Sequence, residues 1–412
     1  MAVFKAFAAY RPEKANQEKI PAPPYDVMNS AEAREMVKGK PLSFLHVDRA
    51  EVDLPPETDI YSPEVYEKAR ENLLALENSG KLIRDEKPCL YIYRQVMNGR
   101  AQTGLVGCAS IDDYLSNVIK KHEFTLAKKE QDRINHVNIT DANTGPIFLT
   151  YRNDSAITSQ INNWIRNHEC VYDFVQSGIN HTVWVIDDDS VISALEQAFK
   201  GVKSLYIADG HHRCASAVKV GQMRRRDNPD YTGEEEFNLF LAIAYPDSEL
   251  EIMDYNRVVR DLNGLSFEQF KDKLSECFDI SPLPERQKPP KKHTVSMLYG
   301  RQWYLLEAKE GTFDENDPVG QLDVSILQNN VLTPILGIDN PKTSDRIDFI
   351  GGIRGLRELE RRVNDDMVLA FAMYPTTVED LMAIADAGAI MPPKSTWFEP
   401  KPLSGIFIHP LS

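Results

Sequence analysis

YIADGHHRCASA, residues 206 to 217, follows Leu205 and places a short apolar run directly before Asp209 and Gly210, with helix-compatible residues from His211 to Val218 behind them. An apolar run of this length that stops at glycine reads as a buried strand ending in a turn, and the residues from His211 onward open a helix. Such a strand-to-helix turn leaves backbone N–H groups unbonded and points the positive end of the helix outward. Here two imidazoles and a guanidinium flank it, and that combination suits an anion, phosphate above all. Arg213 can offer a planar two-pronged fork, while His211 and His212 can donate hydrogen bonds or move protons near neutral pH. Asp209, at the helix cap, can brace the turn, hold Mg2+ or orient a histidine. The competing reading is a capped helix with histidines on a solvated face. The density of functional side chains in DGHHR after a buried strand favours a site.

Composition narrows the class. A chain of 412 residues is longer than one hydrophobic core ordinarily serves, so two or three domains are expected. Hydrophobic residues at 42% and charged residues at 26% are ordinary for a soluble globular protein. The formal net charge of −15 opposes general nucleic-acid binding, which needs a basic surface, but leaves room for a local basic pocket. No apolar run approaches the roughly 20 residues that span a bilayer, and the N-terminus lacks a signal-peptide pattern. The expectation is a cytoplasmic protein without a membrane partner. Cys89, Cys108, Cys170, Cys214 and Cys277 are scattered and odd in number, which reads as reduced thiols.

A second polar stretch, KKHEFTLAKKEQDRINHVNITDAN at 120–143, carries His122, Glu123, Thr125, Lys129, Asp132, Arg133 and His136. On a helix Lys129, Asp132, Arg133 and His136 fall at i, i+3, i+4 and i+7 and share one face, which can carry phosphate or substrate ligands. A salt-bridged solvated helix is the alternative. Because one turn supplies few donors and carboxylates, this stretch is expected to approach Asp209–Arg213 in space. Near the N-terminus, Pro21, Pro23 and Pro24 precede Asp26. Prolines stiffen a loop and hold its carboxylate in place, although an Asp ending a turn before the next helix reads equally well.

Elsewhere the pattern is scaffold. Helices are expected at 30–37, 63–79, 156–167, 191–199, 323–331, 356–363 and 378–387. Strands are expected at 3–10, 42–47, 146–151, 237–245, 252–259 and 367–373, and at 171–175 with 181–186 joined near Gly178. Asn98-Gly99 between two apolar runs marks a hairpin, and 294–299 with 302–307 marks another. Arg257, beside Asn256, is a weaker candidate for a substrate or phosphate contact. SPLPERQKPPKKH at 281–293 holds four prolines and four basic side chains and reads as a linker, which gives domains at 1–280 and 294–412. The Pro-rich stretch 391–405 either packs back across a domain or forms a lid over a phosphorylated ligand. The alternation of strands, helices and hairpins indicates α/β to α+β with a mixed sheet and a smaller C-terminal α+β region.

FKAFAAYRP at 4–12, APPYDV at 22–27, the HEFT and DR stretches, IADGHHR at 207–213 and MPPKSTWFEPKPLSG at 391–405 together resemble the DUF1015 family. DGHHR followed by small residues resembles the signature of the ParB/sulfiredoxin-like superfamily, in the form carried by free serine kinases. The resemblance implies a ParB/sulfiredoxin-like core that sets Gly210, His211, His212 and Arg213 against nucleotide phosphates. It also implies a carboxylate base from an N-terminal loop, for which Asp26 is the candidate and Glu123 the competitor. Relatives carry His where Asn256 stands, and Asn cannot transfer a proton, so no base is expected there. Sulfiredoxins place their reactive Cys where His211 stands, so Cys214 is read as helix packing. The expected function is a phosphotransferase acting on a small hydroxylated metabolite, free serine or phosphoserine, with ATP, ADP or pyrophosphate as phosphate-containing partner and Mg2+ as cofactor. A nucleotide-gated binding protein without turnover and a phosphoserine hydrolase are the alternatives. Nothing in the sequence specifies an oligomeric state.

Overall fold

In the computed structural model, which describes residues 1–412, Leu205–Asp209 is a strand and His211–Asp227 a helix, with Gly210 alone between them. This strand lies near one edge of a nine-stranded mixed sheet. In spatial order the sheet runs Ile119–Lys120, Leu205–Asp209, Ile147–Tyr151, Leu239–Pro246, Arg100–Ser110, Leu90–Met97, Ile179–Ile186 and Tyr172–Gln176, with Phe4–Lys5 added on Arg100–Ser110. Ile147–Tyr151 is parallel to Leu239–Pro246 but antiparallel to Leu205–Asp209. Burial explains the composition of the inner strands. Phe240, Ala242, Ala244, Leu105, Leu149 and Ile207 enter one core with Ile157, Trp164, Leu195 and Phe199 from helices Ser155–Asn167 and Asp189–Phe199. The two hairpin turns form where expected. Asn98 and Gly99 take φ of 51° and 80°, Ser177 and Gly178 take 51° and 77°, and left-handed pairs of this kind match the twist of the flanking strands.

The chain divides into two units, one made of Met1–Leu250 with Pro400–Ser412 and one of Glu251–Glu399. The second has its own antiparallel sheet, in the order Phe278–Leu283, Gln302–Ala308, Thr294–Tyr299, Leu369–Met373, Tyr255–Val259 and Ile347–Gly351. Val258, Leu298, Trp303, Ile350, Leu359 and Ala370 form its core. A boundary at 280 would cut through this sheet, and 281–293 is not a linker. Phe278–Leu283 is an edge strand, where Pro282 removes no needed ladder bond, and Lys288, Lys291 and Lys292 pair with Asp254, Glu307 and Asp380.

Two local expectations also change. Residues 42–47 are not a strand: Leu45–Asp48 is a short helix that buries Phe44, Leu45 and Val47 together against Leu73 and Leu76. A strand would have sent successive residues to opposite faces. Residues 3–10 are extended only in part, at Phe4–Lys5 and Tyr10–Pro12. The Pro-rich stretch is divided between the units. Its end packs back into the first, where Ser404 exchanges backbone hydrogen bonds with Ala22 and Ile408 with Tyr10. No helix is long and apolar enough to cross a membrane.

Candidate functional site

Gly210 has φ +90°, and a Cβ there would lie 3.1–3.2 Å from the Arg213 guanidinium. Only glycine gives both the left-handed turn and room for that side chain. Arg213 folds back under the turn, donating to the Pro146 carbonyl at 2.5 Å and to Asp209 Oδ2 at 3.0 Å. Lys401 Nζ stands 3.5 Å from Asp209 Oδ1. Burial alone would raise the Asp209 carboxyl, yet Lys401 and Arg213 hold it below the ordinary range. Asp209 and Arg213 therefore brace the turn through each other, and the expected fork toward phosphate is turned inward. Both Asp209 oxygens already face protein cations, and no three His, Cys, Asp or Glu side chains converge to hold a metal. The donor set does not suit Mg2+ at Asp209.

The two polar stretches do meet. The His122 N–H lies 3.5 Å from His211 Nε2, the two rings stand edge to face at 4.5 Å, and Glu123 Oε2 is 3.7 Å from His211 Nδ1. Burial pushes His211 down to about 4 and His122 down to about 3, so both are neutral at neutral pH. The Leu126 N–H donates to His212 Nε2 at 3.0 Å, which leaves the His212 proton on Nδ1. Helix Ala127–Thr140 then runs along His211–Asp227, and the Ser216 hydroxyl donates to the Glu130 carbonyl at 3.1 Å. Thr125 is a local brace, donating to Glu130, whose carboxylate also holds Lys219. Cys214 is fully buried and burial pushes its thiol pKa up, which fits packing and not nucleophilic chemistry.

A cleft of about 180 Å3 opens beside this junction. The helical face carrying Lys129, Asp132, Arg133 and His136 forms one wall, and Tyr25 and Asp26 contribute to the lining with His212. Arg133 gives only Nε to Asp132, at 2.9 Å, and lies over the Tyr25 ring at 4.0 Å. Its two terminal nitrogens have no hydrogen-bond partner in the protein. Burial would lower its pKa, but Asp132 and Tyr25 raise it, so it stays charged. Asp132 also accepts from the Tyr66 hydroxyl at 3.0 Å. His136 Nε2 donates to the Val47 carbonyl at 3.1 Å, and burial followed by Arg133 lowers its pKa. Lys129 and Asp26 are exposed at the cleft, and neither has an ion pair or hydrogen bond. Beneath it, a cavity of about 30 Å3 is shared by Tyr25, Asp48, Arg133 and His136 and reaches Arg213.

Several residues here escaped the sequence reading as site residues: Tyr25, Tyr66, and above all Asp48, which is buried and accepts from the Thr144 hydroxyl at 2.7 Å, whereas Lys401 lies in the Pro-rich stretch read as a packed tail or a lid. The Asp48-Arg49 pair was a signal, masked by assigning the preceding residues to a strand. Arg257 is not in this cleft but in the second unit.

Together these features define a mixed α/β protein with a cleft in which an unpaired carboxylate, Asp26, shares one small space with an unpaired Lys129 and the two free terminal nitrogens of Arg133. Residues 4–325 match the family described as "Protein of unknown function (DUF1015)", and the chain belongs to that family. No curated protein matches it. Among solved structures, a free serine kinase in complex with AMP aligns at 13% identity over 72% of this chain and 90% of that one, with a TM-score of 0.35. A free serine kinase variant in complex with ADP aligns at 12% identity over 76% and 95%, TM-score 0.38. SbnI with a C-terminal truncation, from Staphylococcus aureus, aligns at 11% over 73% and 85%, TM-score 0.39.

Proposed function

We propose that the cleft transfers a phosphoryl group between a nucleotide or pyrophosphate and the hydroxyl of a small metabolite, with free serine as the specific substrate. The observation that carries this reading is Asp26, a carboxylate on a proline-stiffened loop that makes no hydrogen bond or ion pair and acts on Arg213 and His212 only through space, in the same cleft as Lys129 and the two unengaged prongs of Arg133. Phosphoryl transfer asks a protein mainly for positioning, charge neutralisation and a base for the attacking hydroxyl. Lys129 and Arg133 supply positive charge for the phosphates, and His212, the one residue of the DGHHR turn that lines the cleft, supplies a hydrogen bond from Nδ1. Asp26 takes the hydroxyl proton as the new O–P bond forms and the bond to the departing phosphate breaks. Asp132 is already committed to Arg133 and Tyr66. Glu123 stands at His211 and not among the cleft residues, which favours Asp26 as the base. A volume of about 180 Å3 accommodates a hydroxy amino acid and the phosphoryl group, with the rest of a nucleotide donor outside.

The test is thermal shift of the purified chain with ATP, ADP, pyrophosphate, serine and phosphoserine, followed by phosphorus NMR of serine mixed with each donor. Stabilisation by a donor and a new phosphoserine resonance are expected. Stabilisation without turnover would leave a nucleotide-responsive binding protein in place of an enzyme.

A further inference from the structure

The second unit holds a cavity of its own, about 340 Å3, at the lower end of the roughly 300–1,000 Å3 range of small-molecule sites. Arg257 lines it, from the interior strand Tyr255–Val259, and is only 3% exposed. Arg133, comparably buried, holds Asp132, whereas Arg257 has no carboxylate partner. One N–H goes to the Tyr255 carbonyl, another to the Lys394 carbonyl at 3.1 Å, and the Phe349 ring centre lies 5.4 Å from Cζ. A guanidinium has five N–H donors, so three remain.

Burial pulls the Arg257 pKa down to about 10, which still leaves it charged at neutral pH. A buried charge is costly unless something of opposite sign pairs with it, and two backbone carbonyls answer only part of that cost. The rest of the wall is arranged for an amphipathic visitor. Val324, Leu332 and Phe349 are apolar, and Lys342 is exposed and unpaired at the rim. Asp339 also lines the cavity, so Arg257 and Lys342 leave one net positive charge, which matches a monoanion better than a phosphate dianion.

We propose that this cavity binds a small organic monocarboxylate, whose oxygens meet Arg257 and whose apolar body lies against Val324, Leu332 and Phe349. The site shares no residue with the phosphoryl-transfer cleft and does not depend on that reading.

The experiment is calorimetric titration of the full chain with acetate, butanoate and hexanoate, and separately with inorganic phosphate. Saturable carboxylate binding should tighten about fourfold for each added methylene that is buried. Arg257→Gln should weaken it roughly tenfold or more, since a charged hydrogen-bond donor is lost. Lys342→Glu, at an exposed position that leaves the fold intact, should also weaken it and decides the matter if Arg257→Gln does not fold. Arg133→Gln should leave it unchanged. Absence of saturable carboxylate binding, preference for inorganic phosphate, or unchanged affinity in Lys342→Glu would overturn the assignment.

Discussion

At Gly210 one residue decides both backbone and side-chain geometry, because its φ of +90° and the space beside it are used at once by the turn and by Arg213. Gly210→Ala is expected to cost about 1–3 kcal/mol in chemical denaturation and to remove stabilisation by phosphate ligands. Asp26→Asn keeps shape and hydrogen bonding but removes basicity. It should lower phosphoryl transfer by roughly two to four orders of magnitude with donor affinity nearly unchanged. If Glu123→Gln loses turnover and Asp26→Asn does not, the base is Glu123. The buried histidines give a pH signature. His122 and His211 have folded pKa values near 3 and 4, against about 6.5 when unfolded. Below pH ~6.5 the unfolded chain gains protons that the folded one refuses, so their stabilisation is present above that pH and declines toward pH ~4, by on the order of a few kcal/mol. Urea unfolding across this window should show the decline, and His122→Gln should flatten it. An unchanged acid slope would show that other groups carry it.

At the level of elements, the segment 400–412 behaves as part of the first unit's core and not as an appendage. Ile406, Phe407 and Ile408 are fully buried, and Phe407 packs at 5.1 Å from Tyr91 and 6.1 Å from Tyr93. Phe407→Ala should therefore cost about 3–5 kcal/mol, measured as a shift in the denaturation midpoint, and a surface-like loss of a few tenths would show the segment to be loosely held. Lys401 arrives on the same segment and helps hold Asp209, so the turn depends on chain almost 200 residues away. Hairpins, helices and the strand before DGHHR were legible because their signals are local: Asn-Gly at 98–99, the apolar period of 191–199, apolar runs of strand length. Residues 42–47 were misread because four apolar side chains in six residues satisfy either period, and only the partners Leu73 and Leu76 choose between them.

For the molecule as a whole, the division at 250/251 and 399/400 determines which fragments fold. A fragment of residues 251–399 contains all six strands of its sheet and the core around Val258 and Leu298, and should unfold cooperatively by itself. A fragment of residues 281–412 lacks Tyr255–Val259, which sits between Leu369–Met373 and Ile347–Gly351, and should fail to give a cooperative transition. The reverse pattern in thermal melts would restore the boundary near 280.

The strand, glycine turn and helix of YIADGHHRCASA and the shared face of Lys129, Asp132, Arg133 and His136 were available from residue types and spacing, because each depends on neighbours within a few turns of chain, and the DUF1015 family was available from the resemblance of motifs spread along the sequence. Which of those side chains face an open cleft was not. Arg213 and Asp209 look like ligand groups in sequence and are tied to each other, to Pro146 and to Lys401, with Arg213 Nε alone left buried and without a partner. Asp26 and the outer nitrogens of Arg133 remain unengaged. Whether a charged side chain is a brace or a binding group is set by what stands within hydrogen-bond distance of it. Here those neighbours come from segments tens to nearly two hundred residues apart, so only the folded chain could decide.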